Sequence, residues 1–241
     1  MSEKTGISWT TSTWNPVTGC DKVSPGCKNC YAETFAERWR GIKGHPYEQG
    51  FDLKLWPVRL SDPLRWKKPR RIFVNSMSDL FHEKVPFEFI GQVWDTMFDS
   101  PRHIYQILTK RPERALEFVQ YMKRAWRRTD YDNVWMGVSI ENADYAFRAD
   151  ILRQIPAKVR FISYEPALGP LADSINLHGI HWVIYGGESG KGFRKEDKQW
   201  ARDMRDKCRR ENVAFFHKQS SGPRNETGIE LDGEIIHEFP K

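Results

Sequence analysis

A parallel (βα) barrel, complete or partial, is the α/β fold the sequence predicts, and three observations predict it. Short apolar runs alternate with amphipathic helical stretches along most of the chain. Those runs are apolar almost throughout, the pattern of strands covered on both faces. Polar or acidic residues follow nearly every run, where the C-terminal ends of barrel strands carry chemistry. About six to seven βα units can be counted, ending in a short β-hairpin tail. A chain of 241 residues suits one barrel domain, spanning 1–241 with its tail at 222–241.

The first strand is expected near Ile7 to Trp14, followed by a helix from Tyr31 to Arg40. Ile72-Phe73-Val74-Asn75 reads as the second strand. Pro86 to Phe98 reads as a helix, with Pro86 at its first turn and Phe87, Ile90, Val93, Trp94 and Met97 on one face. His103 to Leu108 is a strand and Pro112 to Trp126 a helix with Leu116, Val119 and Met122 along one side. Val134 to Ser139 is a strand, Ala143 to Ile155 a helix stopping before Pro156, and Val159 to Tyr164 a strand. Gly169 to Leu177 is weakly periodic. Ile180 to Tyr185 is a strand, Glu196 to Glu211 a charged helix, and Ala214-Phe215-Phe216 the last strand. In Ile229 to Ile236, Asp232-Gly233 between apolar residues signals a hairpin.

Composition narrows the function. No apolar run is long enough for a membrane span, and Met1 to Thr13 lacks the basic-then-apolar order of a secretory leader. A cytoplasmic protein with reduced thiols and no membrane partner is expected. The net charge of +6 admits an anionic partner, although the basic clusters Lys67 to Arg71 and Lys123, Arg124, Arg127 and Arg128 also suit solvated helix faces. Most of the 10 tryptophans sit in apolar stretches, as core residues do.

Three of the 4 cysteines, Cys20, Cys27 and Cys30, crowd into one loop after the first strand. Cys27-x-x-Cys30 lets two thiolates bind one centre, and Pro25-Gly26 suits a tight turn around it. Three thiolates can hold three irons of a [4Fe–4S] cluster and leave the fourth open. With His45 or Cys208 as a fourth ligand they could instead close a zinc site, giving a zinc-stabilised nucleic-acid-binding protein without catalysis. Spacing alone leaves both open, whereas the loop's place at the catalytic end of a barrel favours the cluster. Cys208, among apolar positions of the last helix, reads as a buried thiol.

The strand ends supply the remaining candidates: Asn75, Ser76 and Asp79; Lys110; Ser139 and Glu141; Glu165; Gly186, Gly187 and Glu188; and Lys218. If the barrel forms, they converge on one mouth. Glycines at 186 and 187 would let backbone approach a ligand closely.

A three-cysteine loop after the first strand of a (βα) barrel resembles that of radical S-adenosylmethionine (radical SAM) enzymes. Their usual C-x3-C-x2-C spacing is C-x6-C-x2-C here. Thr13 to Cys20, Ser24 to Glu33, Val138 to Asn142, Gly186 to Gly190 and Leu231-Asp232-Gly233 also resemble a phage-associated three-cysteine-motif family, over Trp9 to Pro240. The resemblance implies a [4Fe–4S] cluster on Cys20, Cys27 and Cys30 and an open iron that binds S-adenosyl-L-methionine. Reductive cleavage of that cofactor would yield a 5′-deoxyadenosyl radical, with the electron coming from an external flavodoxin- or ferredoxin-like donor. In many such enzymes a Gly-Gly-Glu-like stretch after the second strand holds the methionine amino group. Here Asn75, Ser76 and Asp79 stand at that point. Lys110, Ser139, Glu141, Glu165, Gly186 and Gly187 would complete the cofactor site, with Glu188 and Lys218 as catalytic candidates. The substrate stays undefined; the phage association suits a nucleotide or nucleic acid.

Overall fold

The computed structural model describes residues 5–126 and 131–241. Arg127 and Arg128 of the second basic cluster lie outside the described residues.

Seven parallel strands form one sheet in chain order: Ser12–Trp14, Arg71–Val74, Ile104–Thr109, Val134–Ser139, Val159–Tyr164, Trp182–Gly186 and Ala214–Gln219. They are called the first to seventh strands below. Each strand pairs with its sequence neighbour and the order does not return to the first, so the sheet is a curled half-barrel. The partial form of the expected barrel is therefore the one observed.

The two sheet faces follow from the period-two alternation of side chains along a strand. Ile72, Val74, Ile107, Met136, Val138, Ile162 and Val183 point outward into the larger core. The helices Phe87–Asp99, Pro112–Trp126 and Lys198–Glu211 bury their apolar stripes there, through Ile90, Val93, Phe118, Met204 and Cys208. Phe73, Trp135, Phe161, Trp182, Ile184 and Phe216 point inward and, with Trp9, make an aromatic second core. Gly137 belongs to this inner face because a Cβ there would stand 2.4 Å from the Phe161 ring.

Several expected bounds move, each for a local reason. The first strand is only Ser12–Trp14, and Trp9 packs into the inner core instead. The helix expected over Ala143 to Ile155 divides into a 3-10 turn at Ala143–Tyr145 and a helix at Phe147–Leu152, with the Asn142 side chain capping the turn at Asp144 N. The last helix begins at Lys198, because Asp197 caps it and Glu196 turns inward to accept from the Tyr185 hydroxyl (3.0 Å). The seventh strand runs on through His217 and Lys218 to Gln219. Between the first and second strands lies an unforeseen excursion, held by antiparallel pairing of Val17–Thr18 with Lys54–Leu55.

The expected hairpin is present as Glu230–Leu231 paired with Glu234–Ile235, turning at Asp232 and Gly233 with positive φ at both (56° and 83°). The chain then lies antiparallel on the seventh strand, through a Phe216–His237 bridge and a bond from His217 N to Ile236 O (2.8 Å). Among the described residues, no helix is long and apolar enough to cross a membrane.

Candidate functional site

Counting by twos up five of the strands from the inner aromatic layer leads to a polar group at the C-terminal end. Phe73 leads to Asn75, Leu108 to Lys110, Trp135 past Gly137 to Ser139, Phe161 past Ser163 to Glu165, and Phe216 to Lys218. A pocket opens above this layer. It is lined by Cys20, Cys27 and Cys30 together with Asn75, Ser76, Asp79, Lys110, Arg111 and Ser139, with Phe73, Leu108, Tyr31 and Phe51 as apolar walls.

The cysteine loop is built by close backbone approaches. Gly19 has φ +84°, and a Cβ there would stand 2.3 Å from Asp52 O. This lets Gly19 N reach Met77 O (3.0 Å) and Cys20 N reach Phe51 O (3.2 Å). Pro25–Cys27 form a tight 3-10 turn after Ser24, and Cys30 begins the Tyr31–Glu37 helix.

Two carboxylates clamp this loop from below. Glu141, with no exposed surface, accepts hydrogen bonds from Ser24 Oγ (2.5 Å) and Arg148 Nη1 (3.0 Å), and Lys110 Nζ stands 3.7 Å away. Only glycine fits above it: a Cβ on Gly26 would lie 2.5 Å from Glu141 Oε1. Glu188 accepts from Asn29 Nδ2 (3.0 Å) and from Arg194 N (2.8 Å) and Nε (2.9 Å), while Arg194 Nη2 donates to Pro25 O (3.0 Å). Burial alone would raise the Glu188 pKa, but the hydrogen bonds from Arg194 and Asn29 outweigh it and hold the carboxyl below its ordinary value.

A third carboxylate, Asp79, is saturated by the chain itself. It accepts from Thr109 Oγ1 (2.8 Å and 2.9 Å), Lys110 N (3.0 Å), Phe81 N (3.0 Å) and Arg111 Nη1 (3.3 Å). Arg111 Nη1 also reaches Cys20 Sγ at 3.4 Å. Burial pushes the Cys20 thiol up to about 11, with Asp79 adding to the rise and Arg111 opposing it. Burial raises the Cys30 thiol too. Asn75 differs from all of these. It is 2% exposed, has φ 62°, and neither side-chain amide atom has a partner.

The pocket thus brings together the three cysteines with Asn75, Ser76, Asp79, Lys110 and Ser139. Glu141 and Glu188 sit against the cysteine loop. Glu165 and Lys218 pair with each other at 2.6 Å, with Gly186 packed beside Glu165, outside the lining residues. Gly187 packs on Ser221 and Glu196. Cys208 is fully buried in the outer core, and His45 stacks on Trp39 at 4.2 Å, so neither lines the pocket.

Sequence reasoning missed the residues that hold the loop: Ser24, Asn29, Arg111, Arg148 and Arg194. Ser24 and Asn29 flank the cysteines and Arg111 follows Lys110, so proximity to a motif was their signal. Arg194 had none.

The donor set fits a cluster that leaves one position to a ligand: three thiols of one loop, a guanidinium on one of them, and an unbonded amide beside them. Among the described residues no three His, Cys, Asp or Glu side chains are gathered about a single ion-sized point, so the sulfurs share the pocket without closing on one centre.

A family model described as "Protein of unknown function (DUF5131)" matches residues 4–240. No curated protein matches the chain. Similar solved structures include a spore photoproduct lyase complexed with dinucleoside spore photoproduct, at TM-score 0.46 and 13% identity over 79% of this chain and 58% of that one. A spore photoproduct lyase mutant with bound AdoMet and dinucleoside spore photoproduct gives 0.45 and 12%, over 81% and 60%. The chain therefore spans less than two thirds of the length of either.

Proposed function

The chain belongs to the DUF5131 family, and we propose that it acts as a radical SAM enzyme on a nucleotide or nucleic-acid substrate. The observation that carries this reading is the pocket itself. Three cysteines from the loop after the first strand meet, in one pocket, the polar groups that end the second, third and fourth strands.

Cys20, Cys27 and Cys30 would hold the iron–sulfur cluster. When bound with one iron open to S-adenosylmethionine, a [4Fe–4S] cluster supplies reductive cleavage of that cofactor to a 5′-deoxyadenosyl radical. The protein binds, orients and excludes water. Asn75 offers an amide donor and an acceptor, both unspent, to the polar atoms of an amino acid. Lys110 presents a cation suited to a carboxylate, and Ser76 and Ser139 present hydroxyls. Asp79 has its lone pairs engaged, so it orients Arg111 against Cys20 rather than meeting a ligand. The aromatic layer of Phe73, Trp135, Phe161 and Trp182 closes the floor against water. Glu165 and Lys218 form an ion pair next to the pocket, where they could exchange a proton with a substrate. The electron would come from an external flavodoxin- or ferredoxin-like donor.

A zinc-stabilised binding protein would need a fourth ligand, and neither His45 nor Cys208 lies at the pocket. Anaerobic reconstitution tests the choice. Brown protein with about four irons per chain, which cleaves S-adenosylmethionine to 5′-deoxyadenosine under strong reductant, is expected. Cys27→Ser should lose the iron and Cys208→Ser should keep it. Colourless protein with one zinc would overturn the reading. Full iron without any cleavage would leave a structural cluster and remove the enzyme. Methylthioadenosine as product would mean that a different carbon–sulfur bond breaks.

A further inference from the structure

We propose that the excursion between the first and second strands, residues 38–61 with the outer face of the helix before it, is a docking surface for single-stranded nucleic acid beside the pocket. Large side chains are exposed here in a group. Phe35 is 42% and Trp39 37% exposed, and Ile42 is 53%. The rings touch one another: Trp39 stacks on His45 (4.2 Å, 17° between planes), and Phe35 meets Tyr47 edge-on at 5.5 Å. Further along the excursion two cations stand over the Trp56 ring, Lys54 Nζ at 4.1 Å and the Arg59 guanidinium at 3.9 Å from its centre.

Charge decides what such a surface takes. Residues 31–61, the helix included, contain five Arg or Lys and four Asp or Glu, and Glu33 is paired with Lys22 from outside this stretch. One acid, Asp52, is occupied by Arg40, which also grips Glu37, while Glu48 accepts from Gly44 N. Arg38 and Lys43 are exposed, flank Trp39 and Ile42 in sequence, and among the described residues have no carboxylate partner. Stackable rings interleaved with free cations complement a polyanion whose bases are unpaired. A duplex keeps its bases stacked inside and would offer these rings nothing. The surface is also held in advance: Arg40 bridges Glu37 and Asp52, and Phe51 N donates to Glu37 Oε1 (2.8 Å). That lowers the ordering cost of binding. It adjoins the pocket directly, since Tyr31 of the same helix and Phe51 are pocket walls. Its backbone meets the cysteine loop at Cys20 N to Phe51 O (3.2 Å), but its rings and cations are not cluster ligands, so it is tested apart from the cluster.

Fluorescence anisotropy of a labelled 15-nucleotide oligothymidylate with the purified full chain tests it. Binding that weakens as salt rises is expected. Trp39→Ala and Phe35→Ala should each weaken it about 5- to 160-fold, the range for loss of one stacked base. The charge reversal R38E with K43E, which cannot empty a core, should weaken it too and reduce the slope of log affinity against log salt by about 1.4. R38E with K43E should leave the iron content of the reconstituted protein unchanged, which separates this surface from the cluster reading. The proposal is overturned by no binding at low salt, by equal affinity for a duplex of the same length, or by variants that bind as well as the parent. It is overturned as well if these substitutions dissolve a homodimer in ultracentrifugation without changing oligonucleotide affinity, because the occupant would then be a second copy of the chain.

Discussion

Glu141 shows how much a single buried carboxylate can settle. It has no exposed surface, and its partners Arg148 and Ser24 come from two different segments. Glu141→Ala leaves the Arg148 guanidinium, itself 3% exposed, without its counter-charge. Such a loss should cost about 3–5 kcal/mol in urea unfolding, while Glu141→Gln, which keeps an acceptor for Ser24, should cost less. Equal midpoints for parent and Glu141→Ala would show that the clamp contributes nothing. The histidines make a second residue-scale prediction. Burial lowers the pKa of His103 and His217 below the ordinary 6.5. The unfolded chain therefore binds more protons than the folded one just below that value. The neutral folded state is fully favoured above pH 6.5, and its stability falls as pH drops from 6.5 toward the folded values. Unfolding midpoints measured from pH 7.5 down to 5 should fall, and His217→Asn should flatten the slope. A pH-independent midpoint would mean that both rings protonate freely in the fold.

Elements carried the larger share of what could be read in advance. The strands were legible because each is an apolar run bounded by turn residues, and the polar ends were legible because they break that run. Parity along the strand then places Asn75, Lys110 and Ser139 on the inner face, above Phe73, Leu108 and Trp135. The pairing passes from Tyr185–His217 to Gly186–Gln219, so the extra residue, Lys218, lies on the seventh strand, while Glu188 beyond Gly186 accepts from Asn29. Helix bounds were less legible, since Asp197 caps the last helix inside its expected start and the stretch begun at Ala143 divides before Phe147. The inner aromatic layer makes the prediction at this scale. Gly137→Ala places a methyl 2.4 Å from the Phe161 ring. It should cost about 1–3 kcal/mol, and Phe161→Leu in the same chain should return part of that loss. Additive losses in the double variant would show that the two positions do not share space.

Seen whole, the molecule is an open sheet with one edge strand covered by its own tail. After the hairpin the chain pairs with the seventh strand through Ile236 and Glu238, and Phe239 packs on Trp182 at 5.2 Å. Trp182 Nε1 donates to Glu238 O (2.9 Å), and Arg71 lies over the Phe239 ring at 4.1 Å. Removing residues 230–241 would bare both the backbone of the seventh strand and the base of the inner core. Exposed strand edges pair with other chains. The truncated protein should self-associate in light scattering at concentrations where the full chain does not, and should melt at a lower temperature. A monomeric truncation with unchanged melting would assign edge protection elsewhere.

The sequence by itself determined the order of strands, the position of the cysteine loop after the first of them, the hairpin turn, and the burial of Cys208. These are local properties: a period of two, a spacing within eleven residues, an Asp-Gly pair, a helical face. Only the tertiary structure decided that the half-barrel stays open, that Glu165 turns to Lys218, and that Glu141 and Glu188 grip the cysteine loop. Ser24 and Glu141 are 117 residues apart, and Asn29 and Glu188 are 159. A carboxylate in a strand-end loop carries the same sequence signal whether it will meet a ligand, solvent or a distant serine. Its partner is chosen by the geometry of sheet curl and loop packing, which brings those groups within 3 Å and which no short window of residues encodes.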